Sequence, residues 1–191
     1  MTEAGMCAMV KCREAENQEW DVIVAGGGPA GSIAATAAAR EGARTLLIEG
    51  TGCLGGMATS GLVACWCPFS DGEKVIYKGL SEYVFEESKK AISCIKQERI
   101  HGHLAFDPEH IKVLYDDLAT GNGAEVLFHS FVAGVEMRND HEIDSIIVAN
   151  KKGLTAYRAK IFIDCTGDAD LAYFAGAAYE KGDKWTGSLM P

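Results

Sequence analysis

The stretch Gly26-Gly27-Gly28-Pro29-Ala30-Gly31 stands between two runs of opposite character. Before it, Asp21-Val22-Ile23-Val24-Ala25 is short and apolar and predicts a strand. After it, Ser32-Ile33-Ala34-Ala35-Thr36-Ala37-Ala38-Ala39-Arg40 is rich in the best helix former and is stopped by Gly42. A second apolar run, Thr45-Leu46-Leu47-Ile48, closes on Glu49. Strand, glycine turn, helix and strand make a βαβ unit of about the ~30 residues such a unit takes. Strands apolar on every residue predict a parallel sheet buried on both faces.

In such a turn each glycine has its own task. Gly26 permits the tight turn off the strand, Gly28 lets backbone approach a pyrophosphate, and Gly31 lets the helix pack closely on the sheet. The helix beginning at Pro29 aims unpaired N–H groups and a positive dipole end at the same place. Glu49 follows Gly31 by 18 residues, where a carboxylate accepts hydrogen bonds from ribose hydroxyls. An acid at that point disfavours a 2′-phosphate and so disfavours NADP. Together these features predict a dinucleotide site.

Composition limits what else the chain can be. With 48% hydrophobic and 24% charged residues it reads as one globular domain. A formal net charge of −9 argues against nucleic acid or an anionic membrane as partner. No apolar stretch reaches the ~20 residues of a spanning helix. Residues 1–20 carry four glutamates and no apolar h-region, so a cytoplasmic location is expected. Seven cysteines, an odd number, predict no disulfide framework, and none has paired zinc-type spacing, so no metal is expected.

Residues 1–19 read as a mobile leader, polar and without period. Between 60 and 106 a helical and loop-like insertion is expected, with a helix carrying Leu80, Val84, Ala91, Ile92 and Ile95 and a Glu86–Lys90 pair. Asp107-Pro108 opens another helix whose buried stripe is Ile111, Leu114, Tyr115 and Leu118. From Glu125 the period changes to two. Strands are expected over 125–128, 132–138, 143–149 and 155–158, the last three as an antiparallel meander. A buried strand over 161–165 then meets Thr166-Gly167-Asp168 and a helix running to Ala175.

These motifs, in this order, resemble the FAD-dependent oxidoreductases of the glutathione-reductase-like flavoprotein superfamily. The match rests on the glycine turn with its strand, on Leu47-Ile48-Glu49 with Leu54-Gly55-Gly56-Met57, on Asp107-Pro108-Glu109, and on Ile163-Asp164-Cys165-Thr166-Gly167-Asp168-Ala169-Asp170. It implies a Rossmann-like α/β fold, a parallel sheet with a glycine-rich dinucleotide turn and a three-stranded antiparallel meander, with FAD as cofactor. It implies that Gly26, Gly28, Pro29, Ala30 and Gly31 hold the pyrophosphate, that Glu49 meets the adenosine ribose, and that Gly50 is among the cofactor-binding residues. Leu54, Gly55, Gly56 and Met57 would lie along the pyrophosphate and ribityl side, Val132 would lend backbone to the adenine, and Thr166, Gly167 and Asp168 would close over the nucleotide. Members of that family are much longer. Residues 20–191 are therefore expected to be an FAD-binding domain incomplete at its carboxyl end, an amino-terminal portion of an enzyme acting on a small molecule.

Other candidates are weaker. Cys53 could exchange electrons with a flavin, and Cys65 with Cys67 could form a redox pair or bind metal with His101 and His103. Asp168 could cap the last helix as well as face the nucleotide, while Asp164 reads as structural. Trp20, Trp66 and Trp185 read as packing or loop cover. No catalytic acid or base is identifiable. The rival functions are a non-catalytic module that binds the ADP moiety and an NAD-linked dehydrogenase.

Overall fold

The computed structural model describes residues 12–68, 70–91 and 104–189. Its centre is a six-stranded sheet. In chain order, β1 (Arg13–Ala25), β2 (Thr45–Ile48), β5 (Glu125–Leu127), β6 (Phe131–Asn139), β7 (Glu142–Asn150) and β8 (Gly153–Asp164) lie side by side as β5-β2-β1-β8-β7-β6. The strands from β5 to β8 are parallel, and β7 and β6 continue antiparallel. A separate two-stranded ladder joins β3 (Cys65–Trp66) to β4 (Leu104–Ala105). The helices are α1 (Pro29–Arg40), α2 (Leu80–Lys90), α3 (Pro108–Gly121) and α4 (Asp170–Phe174).

Strand alternation sorts the apolar run of β1 into two cores. Val24 faces α1 and α3 and packs with Leu47, Ala35, Ile111 and Tyr115. Ile23 and Ala25 face the other way and share a core with Leu46, Ile48, Ile146 and Val148. Ile23, Val24 and Leu47 are fully buried, each stabilising the fold by about 1.5–3 kcal/mol. α3 starts as its sequence dictates, with Pro108 in the first turn and the Asp107 carboxylate accepting from the Glu109 N–H at 2.9 Å.

The structure departs from the sequence expectations at several points. β1 already begins at Arg13, inside the stretch expected to be leader, because Arg13 and Glu14 pair with Thr155 and Ala156 of β8 before a bulge between Glu14 and Glu19. The strands expected over 155–158 and 161–165 are one continuous strand. The first half of β8 pairs with β7 on one side, while β1 pairs along both halves on the other, so the meander and the parallel sheet share a strand. The side chain of Arg158 ties this junction together, reaching Glu14 on β1 and Asp144 on β7. In α2 the buried residues are Val84, Phe85 and Ser88, whereas Ala91 is exposed. Ile92 and Ile95 lie outside the described residues. Instead of a Glu86–Lys90 pair, Lys89 pairs with Glu86, and Lys90 with Glu87 at 2.5 Å.

Candidate dinucleotide site

The ends of β1 and β8 bring the two glycine turns together. The Cys165 N–H donates to the Ala25 carbonyl at 2.8 Å, carrying the ladder one residue into the turn. Gly26, at φ +93°, donates from its N–H to the Ile48 carbonyl at 2.8 Å. A Cβ on Gly26 would stand 2.4 Å from the Cys165 carbonyl oxygen, and one on Gly31 only 1.8 Å from the Gly26 oxygen. Both glycines are therefore demanded by backbone packing. Gly28 is different. A Cβ there would meet no atom within 4 Å, and its φ of −64° suits any residue. Its missing side chain leaves open space at the start of α1, where the first-turn N–H groups of Ala30 and Gly31 have no intrahelical acceptor. That open cradle fits a phosphate.

Gly27 is the site residue that the sequence reading missed. Its N–H donates to Glu49 Oε2 at 2.7 Å, and its carbonyl accepts from the Gly55 N–H at 2.8 Å and from Ser32 Oγ at 3.0 Å. A Cβ on it would come within 2.6 Å of Leu54 Cδ2. Three separate segments thus converge on one residue. Its position between two assigned glycines was the available signal.

Glu49 lies at the end of β2, 8% exposed, with no cation beside it among the described residues. Its second oxygen, Oε1, accepts from the Thr51 N–H at 2.6 Å. The carboxylate is held rigidly by two backbone donors, and each oxygen keeps acceptor capacity for a further donor. Beside it runs the connection from β5 to β6, with the Ser130 N–H donating to the Glu49 carbonyl and the His129 N–H to the Thr51 carbonyl, both at 3.0 Å. This places Val132, opposite Val148 in the sheet, at the same corner as Gly50. The ring of exposed Phe131 lies over Gly50, 2.5 Å from where a Cβ would stand.

Leu54 is fully buried in the helical core and anchors the loop of Gly55, Gly56 and Met57. Gly55 has φ +98°, and a Cβ on Gly56 would be 3.0 Å from Gly28 Cα, so this loop lies directly against the first turn. Met57 is exposed. Next to it a cavity of about 300 Å³ opens between Pro29, Met57, Trp66 and Phe106.

On the third side, Asp164 organises the turn. Its Oδ1 accepts from the N–H and Oγ1 of Thr166 at 3.1 and 2.8 Å, and its Oδ2 from the Ala172 N–H at 2.9 Å. The expected capping by Asp168 does not occur. Thr166 Oγ1 takes the Asp170 N–H at 2.8 Å, and exposed Asp168 has no hydrogen-bond partner among the described residues. Gly167 turns at φ +93° between them.

Several other candidates are not drawn into this cluster. Cys53 Sγ lies 3.2 Å from Ser60 Oγ. Cys65 and Cys67 are exposed and unbridged, and His101 and His103 lie outside the described residues. No group of three potential metal ligands occurs among the described residues, and no helix among them is long and apolar enough to cross a membrane. Trp20 is buried under the Arg44 guanidinium, 4.6 Å from its ring centre, and Trp66 stacks obliquely on Phe106 at 4.7 Å. Trp185 is exposed. A larger crevice of about 620 Å³ lies far along the sheet between Glu14, Arg138, Asp144 and Arg158, where both arginines are already paired with carboxylates.

Comparison with known proteins agrees with this geometry. Residues 21–190 match the model of a family described as FAD dependent oxidoreductase. Among solved structures, the chain superposes on a geranylgeranyl bacteriochlorophyll reductase-like protein from Thermoplasma acidophilum, at TM-score 0.60 and 21% identity over 83% of this chain and 42% of that one. It superposes equally, at TM-score 0.60, on THI4 from Thermovibrio ammonificans (19% identity, 82% of this chain, 61% of that one). A third match is p-nitrophenol 4-monooxygenase PnpA from Pseudomonas putida DLL-E4 (TM-score 0.60, 16% identity, 88% and 45%). At these identities the likeness concerns the fold, and the chain spans less than two thirds of each of these proteins. No curated protein matches it in sequence. The chain belongs to the FAD dependent oxidoreductase family, with FAD as its cofactor.

Proposed function

We propose that this chain forms the FAD-binding part of an oxidoreductase acting on a small molecule, with the dinucleotide held across the three converging turns. The observation that carries the reading is the open space at Gly28, a glycine that no protein contact requires. The Ala30 and Gly31 N–H groups and the α1 dipole end take the pyrophosphate there. Pro29, with no N–H to offer, presets the first helical residue. Glu49 accepts the adenosine ribose hydroxyls on its remaining lone pairs. Gly50 and the backbone of Val132 flank the adenine. Gly55, Gly56 and Met57, anchored by Leu54, follow the pyrophosphate and ribityl side, and Thr166, Gly167 and Asp168 close the third side.

FAD supplies the hydride and electron transfer when bound. The chain's own residues orient it. Tyr115, beside Pro29 and Trp66, is pushed by burial to about 12 and stays a neutral phenol. Burial also raises the Cys165 thiol, which stays protonated beside the turn. Neither serves as a base at neutral pH.

Titration of the purified chain with FAD, ADP and NADH tests the proposal. FAD is expected to bind at least about tenfold tighter than ADP, a difference of about 1.4 kcal/mol from the flavin half. Equal affinities would reduce the chain to a module for the ADP moiety. Preference for NADH would overturn the assignment.

A further inference from the structure

Cys65-Trp66-Cys67-Pro68 belongs to none of the three turns, yet both cysteines line the 300 Å³ cavity that Pro29 and Met57 also wall. Both are exposed free thiols. Cys65 and Trp66 are extended in β3, and Pro68 disfavours helical backbone at Cys67, which keeps the third residue extended as well. Residues two apart in extended chain present their side chains to one face. A rise of ~3.3 Å per residue separates the two Cα atoms by about 6.6 Å. Disulfides span Cα separations up to about 6.8 Å. Parallel on that face, their Cβ atoms stand about as far apart, beyond the ~4.5 Å that a disulfide spans, so the pair closes only when the backbone bends out of the extended form. Such a bond is strained, and strained exposed disulfides are the readily reduced, regulatory ones. β3 opposes little to this closure, since its ladder consists of the two pairs Cys65–Ala105 and Trp66–Leu104.

We propose that Cys65 and Cys67 are a reversible modification site that a small-molecule disulfide oxidises to an internal disulfide. One cysteine thiolate attacks a sulfur of the small disulfide and releases one small thiol, leaving a mixed disulfide on the protein. The second cysteine thiolate then attacks the protein sulfur of that mixed disulfide and releases the second small thiol. Two protein thiols are oxidised, the small disulfide is reduced to two thiols, and the two cysteine protons leave with them. Closure draws β3 inward and reshapes the cavity wall opposite Pro29 and Met57.

The experiment uses the full 191-residue chain, reduced and then exposed to glutathione disulfide, with peptide mapping by mass spectrometry. The peptide carrying both cysteines is expected to lose two hydrogens and keep no glutathione, its two thiols disappearing together and returning together with reduced glutathione. In Cys65→Ser the adduct is expected to persist on Cys67, and in Cys67→Ser on Cys65. Stable separate adducts on both cysteines of the unsubstituted chain would overturn the proposal. So would a bond from either to a different cysteine, or the absence of any adduct in both serine variants. None of these readouts requires FAD, so the outcome is independent of the cofactor assignment.

Discussion

Replacing Gly28 with alanine separates a glycine kept for a ligand from glycines kept for the fold. A methyl at Gly28 enters empty space at a backbone angle open to any residue. Restricting the unfolded chain favours alanine by about 0.4–1 kcal/mol. Its poorer helix capping costs a comparable amount, since alanine ranks well below glycine there. Apo stability is therefore expected to change by less than about 1 kcal/mol, or about 2–4 °C in Tm. Gly31→Ala is the contrast. Its methyl would lie 1.8 Å from the Gly26 oxygen, with Gly31 held in α1 and Gly26 tied to the Ile48 carbonyl. Such overpacking is expected to cost about 3 kcal/mol or more, near the top of the measured range. With FAD at 100 times its Kd, the unsubstituted chain gains about 2.7 kcal/mol, which corresponds to a Tm rise of roughly 5–11 °C. Gly28→Ala is expected to lose most of that rise while its apo Tm stays put. Thermal scans of the three proteins with and without FAD make the measurement. A full FAD-dependent rise in Gly28→Ala, or an apo Tm as low as that of Gly31→Ala, would refute the reasoning.

Glu49→Gln leaves one of the buried N–H donors, Gly27 or Thr51, without its carboxylate oxygen; a loss of about 1–3 kcal/mol in denaturant unfolding is expected, with weaker FAD binding. Leu47→Ala, fully buried between β1 and the helices, is expected to cost about 2–5 kcal/mol by the same method. The buried Oδ1 of Asp116 has no hydrogen-bond partner among the described residues, and desolvation, then the Asp117 charge, raise its carboxyl above 3.8. Its folded form therefore binds a proton more readily than its unfolded form, so its ionisation lowers stability as pH rises through the window above 3.8. Asp116→Asn is expected to raise Tm at pH 7 and to flatten that part of the profile; an unchanged profile would contradict it. Asp21 has the opposite sign. The Lys160 ammonium, then the Arg44 N–H, hold its carboxyl below 3.8. Its contribution is present above 3.8 and lost as pH falls through the lowered value, so Asp21→Asn is expected to weaken the acid branch.

The dinucleotide turn was legible because its requirements are local. A tight turn, a helix start and an acid closing the next strand follow from spacing alone, and the Asp107-Pro108 start of α3 was equally visible. What each glycine answers to was not. Gly26 answers to the Cys165 carbonyl just past β8 and Gly31 to the Gly26 oxygen, Gly167 has open space but a positive φ, and Gly28 has open space at an ordinary φ. Asp168 looked like a cap from its place before a helix, yet the fold gives that work to Thr166 and Asp164, whose side chains lie closer to the free N–H groups. The break expected between 158 and 161 disappeared for a similar reason. β1 pairs with β8 on both sides of that point, at Arg158 and Ala159 and again from Ile161, and holds the backbone extended through it. Periodicity and turn chemistry are properties of neighbours in the chain, so the sequence by itself determined the elements and the kind of ligand. That the Cys165 oxygen stands where a methyl on Gly26 would go depends on residues more than a hundred positions apart, and only the tertiary structure decided that.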